Sequence, residues 1–359
     1  MEDLSRNNDF DAEITVPEID NVKQKKTDIK RLSLKLGLSI IIMFAMRIAA
    51  SFFISLFLNN SDADMSLEMK YFVQALISLI FVYIIPIIST VLLLKKERTN
   101  DEIKLFSGTQ YFGRAMSTLP TIYGIPFILN IIMMVIINLI GKSDMMDSFN
   151  TVNDLSPNSF GAALILFVEL TVIAPIFEEI WFRGIIFRKL YPYGSGFGII
   201  ISGIIFGLAH GNFQQFFYTT ALGICLAYIT YATKSIVAPI VIHAFFNAIA
   251  GGLILFASSD TVGDYLMNEF SSKPEKPLEI IFIFYAISII IFAIIGAATF
   301  FAKLSKAKRY RTPSIFPEIS LGRKIGIFFS RVTVILGIIL ALDIFTYNSI
   351  LKGVSKLIG

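Results

Sequence analysis

Histidine, cysteine and charged residues are scarce in this chain of 359 residues. It has two histidines, His210 and His243, a single cysteine, Cys225, and 16% charged residues, against about 25% in a typical soluble domain. A lone cysteine excludes an intramolecular disulfide and any cysteine-rich metal site. Because Cys225 lies in an apolar run, we interpret it as a packed small residue and not as a nucleophile.

Several functional signatures are missing as well. No Gly-rich phosphate loop of the Walker type is present, which disfavours an ATP-driven pump and any nucleotide ligand. No nucleic-acid-binding signature occurs, so no nucleic-acid partner is expected. No serine lies in a nucleophile-elbow motif, and no pair of aspartates lies in an apolar segment. The first 31 residues contain no apolar core with a small-residue cleavage site, so we do not expect a removable signal peptide.

Apolar residues, in contrast, make up 55% of the chain. This composition predicts an all-α fold, a polytopic transmembrane helix bundle with eight or nine transmembrane helices. The fifth candidate span is short, and the ninth could instead be a helix that lies on the membrane. The nine candidates lie near 36–58, 71–94, 115–140, 160–183, 196–210, 213–232, 235–256, 278–302 and 326–350.

Lysine and arginine alternate between successive connections and so predict the orientation. The N-terminal tail and the even-numbered connections are basic, whereas the odd-numbered ones are acidic or uncharged. This pattern places the N-terminus in the cytoplasm. Richness in Ile, Phe, Asn and Lys is typical of AT-rich bacterial genes, so we expect a multi-pass protein of the bacterial plasma membrane, with the lipid bilayer as its surroundings.

The same patterns divide the chain into four segments. Residues 1–31 form a polar cytoplasmic tail that we expect to be disordered, and 32–158 hold the N-terminal transmembrane helices. Residues 159–256 form the candidate catalytic core, and 257–359 hold the C-terminal transmembrane helices. The basic connection 303–324 in this last segment could bind anionic lipid, but we interpret it as a loop that sets topology.

Three ionisable residues, Glu178, Glu179 and Arg183, lie together at the end of the fourth apolar segment. Inserting each into a bilayer costs roughly 3 kcal/mol or more unless it is paired or wet. Residues four apart share a helix face, so Glu179 and Arg183 can form an ion pair, while Glu178 points about 100° away. The cluster thus indicates a functional site, unless all three side chains snorkel to the membrane surface.

Two further apolar segments carry the histidines. His243 and Asn247 present an imidazole and an amide on one stripe of the seventh segment, and His210 follows Phe206 by four residues at the end of the fifth. The alternative for His243 is a structural histidine that is hydrogen-bonded across helices. His210 can meet Glu178 only if the fifth span is short, is tilted or begins deep in the membrane. The glycines at 194, 196 and 198 predict that the helix begins late in this way, because glycine is unfavourable inside helices.

One carboxylate, two imidazoles and an amide are the usual components for activating water and stabilising an oxyanion. Glu178, His210 and His243 could also ligate Zn²⁺ with an open position for water. Either arrangement predicts hydrolysis, and the residues leave the choice open. Asn247 is a poor zinc ligand, which favours the mechanism without a metal cofactor.

The three motifs, Glu178-Glu179-x-x-x-Arg183, Phe206-x-x-x-His210 and His243-x-x-x-Asn247, resemble those of the CAAX prenyl endopeptidase and bacteriocin-processing (CPBP or Abi) family. The resemblance covers about 160–256. It implies an intramembrane endopeptidase of the metallo or glutamate type. In such an enzyme, Glu178 would activate water, and His210 would assist it. The oxyanion would be stabilised by His243 and Asn247. The site would be supported by Glu179, Arg183 and Phe206.

Two other function classes compete with the protease. A non-catalytic scaffold or regulator could use the same bundle to bind a partner membrane protein. A transporter could use a proton or solute path formed by Arg47, Glu169, Glu178 and His243. The intact motif set argues against the first, and the absence of matching broken helices in two halves argues against the second. For the protease we expect a peptide or membrane-protein substrate, as in bacteriocin immunity, leader-peptide removal or signalling-peptide maturation.

Overall fold

The computed structural model describes residues 22–61, 64–99, 101, 103–106, 112–139, 159–211, 213–258, 277–304 and 317–345. Within these ranges the chain is helical and forms no β-strand. The predicted all-α, polytopic bundle is therefore confirmed. Ten helices are used below: α1 Val22–Asn60, α2 Leu67–Leu94, α3 Leu119–Leu139, α4 Phe160–Tyr193, α5 Ser195–Ala209, α6 Phe213–Thr233, α7 Val237–Ala257, α8 Pro277–Leu304, α9 Leu321–Phe329 and α10 Val332–Phe345.

Seven of the described helices, α1 to α4 and α6 to α8, are long and apolar enough to cross a membrane. The ninth predicted span is broken instead, because α9 and α10 meet at an angle of 71°. Counted as one span, this pair brings the described candidates to eight. The division into four segments, including the core 159–256 that α4 to α7 cover, stays a prediction, and most of the connection 303–324 lies outside the described residues.

The fifth predicted span, α5, is the main departure from a simple bundle. Its 15 residues rise about 22 Å, which is less than the roughly 30 Å of a hydrocarbon core. Gly194, with φ at 123°, makes the sharp turn directly before it. The prediction of a late start caused by the glycines is wrong, because α5 begins at Ser195 and contains both Gly196 and Gly198. The helix is short, and a short span is one of the conditions under which His210 can meet Glu178.

The beginning of α1 corrects the predicted tail. We expected disorder up to residue 31, yet α1 begins at Val22. The reason is a stripe of apolar side chains at helical spacing, Ile29, Leu32 and Leu36, each at most 1% exposed and packed in the main core. Residues 1–21, the rest of the predicted tail, lie outside the described part of the chain.

Helix α5 lies at the centre of the packing, against α6 and the end of α4. Gly203 of α5 and Gly223 of α6 allow this close approach, because a Cβ at Gly203 would stand 2.8 Å from the backbone nitrogen of Ile224. Large apolar side chains face outward elsewhere, such as Leu92 and Phe284, which are 67% and 68% exposed. Such a surface is expected where lipid, and not water, surrounds the protein.

Prolines explain why α2 and α4 deviate from regular α-helix. A proline cannot donate to the carbonyl four residues before it, and its ring crowds that carbonyl. The π-helical turns Leu79–Ile84 in α2 and Glu169–Ile173 in α4 lie directly before Pro86 and Pro175. Helix α4 contains a second π-helical stretch, Ile180–Phe187. Single π turns are frequent at functional sites, and these surround the carboxylates of α4.

Candidate active site

Glu179 and Arg183 form the expected ion pair on α4. Nη1 of Arg183 lies 2.7 Å from Oε1 of Glu179, and neither side chain is exposed. Nη2 of Arg183 donates to the carbonyl of Gly223 at 3.0 Å, and the guanidinium lies 4.4 Å from the centre of the Phe206 ring. For these two residues the snorkelling alternative is wrong, because their charges are neutralised inside the bundle. The contacts tie α4 to α5 and α6.

His243 of α7 lies between the two carboxylates. Its Nδ1 is 2.9 Å from Oε1 of Glu179, and its Nε2 is 3.8 Å from Oε2 of Glu178. An ionised carboxylate only accepts hydrogen bonds, so Nδ1 carries the proton towards Glu179 and the ring is fixed with Nε2 towards Glu178. The spacing of the sequence motifs gives no signal for this contact, because it joins residues that are 64 positions apart.

Glu178 is the carboxylate left without a hydrogen-bonded partner. Its side chain is 14% exposed, and Oε2 is buried with no hydrogen bond among the described residues. An unsatisfied buried carboxylate oxygen is costly, and such groups are retained where they have a catalytic or ligand-binding role. Oε2 of Glu179 is buried without a hydrogen bond to a described residue as well, but Oε1 of Glu179 binds both Arg183 and His243. Glu179 is thus occupied by structure, and Glu178 is available for chemistry.

His210 reaches the same cluster from the end of α5. Its Nδ1 lies 2.9 Å from the carbonyl oxygen of Phe206, which can only accept, so a neutral His210 carries its proton on Nδ1 and has Nε2 as an acceptor. The Phe206 ring contacts both imidazoles, with ring centres 4.9 Å from His210 and 5.5 Å from His243. Phe206 therefore sets the positions of both histidines and of Arg183.

Asn247 lies one turn beyond His243 on α7. Its Nδ2 donates to the carbonyl of Leu170 at 2.8 Å. Leu170 belongs to the π-helical turn Glu169–Ile173, where regular i to i−4 bonding is interrupted and a carbonyl can accept from a side chain. One hydrogen of the Asn247 amide is used in this contact, and the second is left for another acceptor.

The donor set does not fit the zinc site that the sequence allows. Among the described residues, no three His, Cys, Asp or Glu side chains are grouped so that they could hold a metal ion.

Comparisons with known proteins match the segment of the chain that holds this site. Residues 160–249 match the family described as Type II CAAX prenyl endopeptidase Rce1-like, and this segment contains every predicted site residue. A protein of Bacillus subtilis (strain 168) named "Putative membrane peptidase YdiL" is 32% identical over 106 residues, which are 29% of this chain and 42% of that protein. The chain thus spans less than half of this relative, and no solved structure matches it. The resemblance to the CPBP family is confirmed over residues 160–249, the segment that is similar to the Rce1-like type II CAAX prenyl endopeptidases.

Proposed function

We propose that the protein is an intramembrane endopeptidase that hydrolyses a peptide bond in a membrane-associated peptide or protein. The observation that carries this proposal is the buried Oε2 of Glu178, which has no hydrogen bond to a described residue and lies 3.8 Å from Nε2 of His243, in the segment that matches the peptidase family. A carboxylate in this position can take a proton from water while the imidazole donates to the oxyanion that forms.

In the proposed reaction, Glu178 accepts a proton from water as the water oxygen bonds to the carbonyl carbon of the substrate. Nε2 of His210 holds the same water by accepting its second hydrogen. His243, with a proton on each ring nitrogen, donates from Nδ1 to Glu179 and from Nε2 to the oxyanion, and the second Nδ2 hydrogen of Asn247 donates to the oxyanion as well. The C–N bond then breaks, and Glu178 returns its proton to the leaving amine.

Replacing Glu178 by glutamine tests this assignment. The amide keeps the shape of the side chain but cannot take a proton, so hydrolysis should fall by a factor on the order of 10² to 10⁴. Purified protein in lipid nanodiscs would be incubated with a mixed-sequence peptide library, and new termini would be identified by mass spectrometry. The matched control is Glu318→Gln, which removes an exposed carboxylate far along the chain. Wild-type turnover in Glu178→Gln would overturn the role of Glu178.

The proposed mechanism uses no metal, since no three His, Cys, Asp or Glu side chains of the described residues are grouped to hold one ion. Activity should therefore survive dialysis against a strong chelator. Metal content would be measured in the same samples by elemental analysis. Stoichiometric zinc that is lost together with activity, with both restored on adding zinc back, would contradict the metal-free mechanism and leave the hydrolase proposal intact.

We also propose that the N-terminus and the connection after α2 lie in the cytoplasm, because both are rich in lysine and arginine. Asp64 and Thr99 are exposed and lie at opposite ends of α2. In a Cys225→Ala background, Asp64→Cys should react with a membrane-impermeant thiol reagent on intact cells, and Thr99→Cys should react only after the cells are opened. The reverse pattern would invert the topology.

The substrate class is a further part of the proposal. The composition indicates a bacterial source, and a relative occurs in Bacillus subtilis. Bacteria generally lack prenylated proteins, so we propose processing of a peptide, as in self-immunity to bacteriocins, leader-peptide removal or maturation of a signalling peptide.

A further inference from the structure

A second group of ionisable side chains lies in the membrane-spanning part of the molecule, outside the cluster around Glu178. These side chains line a cavity of about 170 Å³ between α1, α2 and α4. The proposed reaction uses none of them. The polar part of the lining consists of Arg47, Ser51, Ser78, Tyr83 and Glu169.

Arg47 and Glu169 are ionisable side chains of opposite type, and neither forms an ion pair or a side-chain hydrogen bond with another described residue. Nε of Arg47 is buried and has no hydrogen-bond partner in the described part of the chain. Charged side chains inside a bilayer are costly unless they are paired or wet, and they usually mark functional sites. Both side chains line the cavity, and neither is hydrogen-bonded to a described residue. The cavity is therefore suited to a polar group.

The cavity lies beside the proposed catalytic groups. Arg47 interacts electrostatically with Glu178. The ring centre of Tyr83 is 5.8 Å from that of Phe177, the residue before Glu178. Glu169 precedes Glu178 by nine residues on α4, which is about 13 Å along a helix axis. An extended peptide rises about 3.3 Å per residue, so a substrate with its scissile bond at Glu178 can place a side chain about four residues away into this cavity.

The two opposite charges restrict which side chain can enter. A carboxylate would be attracted by Arg47 but repelled by Glu169. An ammonium group would be attracted by Glu169 but repelled by Arg47. An apolar side chain would leave both charges desolvated without a partner. A carboxamide is neutral, and it has an oxygen that accepts from Arg47 and a nitrogen that donates to Glu169.

We propose that this cavity is a specificity subsite for a glutamine or asparagine side chain of the substrate, about four residues from the scissile bond. The inference rests on the proposed proteolysis and names one feature of its substrate. Arg47 and Glu169 bind and position the peptide in this role, and the hydroxyl groups of Ser51 and Ser78 supply further hydrogen bonds. Neither charged residue takes part in the transfer of protons at Glu178.

A peptide series on the wild-type protein in nanodiscs gives the first test. Glutamine, glutamate, lysine or leucine would be placed in turn at each position from two to six residues on either side of the cleaved bond. At one position, kcat/KM should be at least about tenfold higher for glutamine than for the other three residues, as expected when hydrogen bonds to charged groups are lost. Equal kcat/KM values for glutamine and leucine at every position would overturn the proposal.

Charge-changing variants give a sharper test, because they should redirect the preference. With Glu169→Gln the repelling carboxylate is gone, so the peptide with glutamate at that position should become the better substrate. With Arg47→Gln the lysine peptide should gain instead. Only the ranking of peptides is compared, which makes the test independent of any general loss of rate. An unchanged ranking in both folded variants would contradict the subsite.

Binding separates this inference from the proposed function. Labelled peptides of the same series would be titrated by fluorescence anisotropy onto Glu178→Gln, which cannot activate water in our mechanism. A glutamine-dependent affinity there, with no hydrolysis by the wild type, would reject the protease and keep the subsite. Hydrolysis by the wild type with no residue preference in either assay would reject the subsite and keep the protease.

Discussion

Two glutamates in this protein each hold two basic side chains, and they do so in opposite surroundings. Glu179 contacts Arg183 at 2.7 Å and His243 at 2.9 Å, with all three side chains at most 2% exposed. Glu97, in the connection after α2, contacts Lys35 at 2.6 Å and Arg31 at 3.1 Å. The Glu97 side chain is 1% exposed, but those of Arg31 and Lys35 are 50% and 28% exposed.

The difference between the clusters lies in what can replace a lost partner. Water can solvate Arg31 or Lys35 if Glu97 changes, and Glu97 keeps one cation if the other is removed. Glu179 keeps His243 if Arg183 is removed, but water cannot take the place of the lost guanidinium among the packed side chains of α4 to α7. Removing one member of a buried pair leaves an uncompensated charge, and this is far more costly than the loss of an exposed pair. The inner cluster, which consists of Glu179, Arg183 and His243, should therefore be sensitive to mutation. The outer cluster, which consists of Glu97, Arg31 and Lys35, should be sensitive to pH.

The largest expected effect comes from Arg183→Met, which keeps much of the side-chain volume and removes the charge. Glu179 is then buried with His243 as its single partner, so the variant should lose about 3–5 kcal/mol of stability. The matched control is Arg31→Met in the outer cluster, where the loss should be at most about 1 kcal/mol. Thermal unfolding in detergent can be followed through the fluorescence of Trp181, the one tryptophan, which is 3% exposed next to the cluster.

A double variant distinguishes a lost ion pair from simple loss of packing. If the cost arises from the unpaired carboxylate, adding Glu179→Gln to Arg183→Met should recover part of the melting temperature, because the buried charge is then gone. Equal melting temperatures for Arg183→Met and Arg31→Met would contradict a larger cost of losing a cation from the buried cluster than from the exposed one.

The sequence predicts only those features of the inner cluster that lie within a single helix. Four-residue steps predict the pair between Glu179 and Arg183, and the stripe of His243 and Asn247, because α-helical geometry is local. The contact of His243 with Glu179, and that of Arg183 with the Gly223 carbonyl, depend on how helices pack, for which no pattern in one sequence is a guide. Nor does the sequence predict the π-helical turns, although Pro86 and Pro175 were visible signals.

The membrane-spanning helices are likewise predicted only as far as local sequence determines them. Apolar runs predict the spans α1 to α4 and α6 to α8 well, since crossing a bilayer requires a certain length. They show that α5 is short, but not that it lies in the interior of the bundle, because apolar composition is the same for a side chain that faces lipid and one that faces protein. The bend between α9 and α10 is missed for a similar reason.

The outer cluster allows a prediction about pH. Burial of the Glu97 carboxyl disfavours its charged form, but hydrogen bonds from Lys35 and Arg31 outweigh this effect, and its pKa lies below the ordinary value. The unfolded chain has a glutamate pKa of about 4.3. Since the folded pKa is the lower one, the stabilisation by Glu97 is complete above the unfolded pKa and is lost as the pH falls through the folded pKa.

Glu97→Gln should accordingly cost about 1–2 kcal/mol near neutral pH, and progressively less as the medium becomes acidic. Melting temperatures of wild type and variant would be compared from about pH 6 downwards, and the difference between the two curves should shrink once the pH falls below about 4.3. Glu318→Gln is the control, because Glu318 also has a lowered pKa from its hydrogen bond with Lys25, but its side chain is 46% exposed and solvent screens the pair. Its difference from wild type should be smaller at every pH. Parallel curves for wild type and Glu97→Gln would show that Glu97 is not ionised in the fold, and the contrast between the two clusters would then fail.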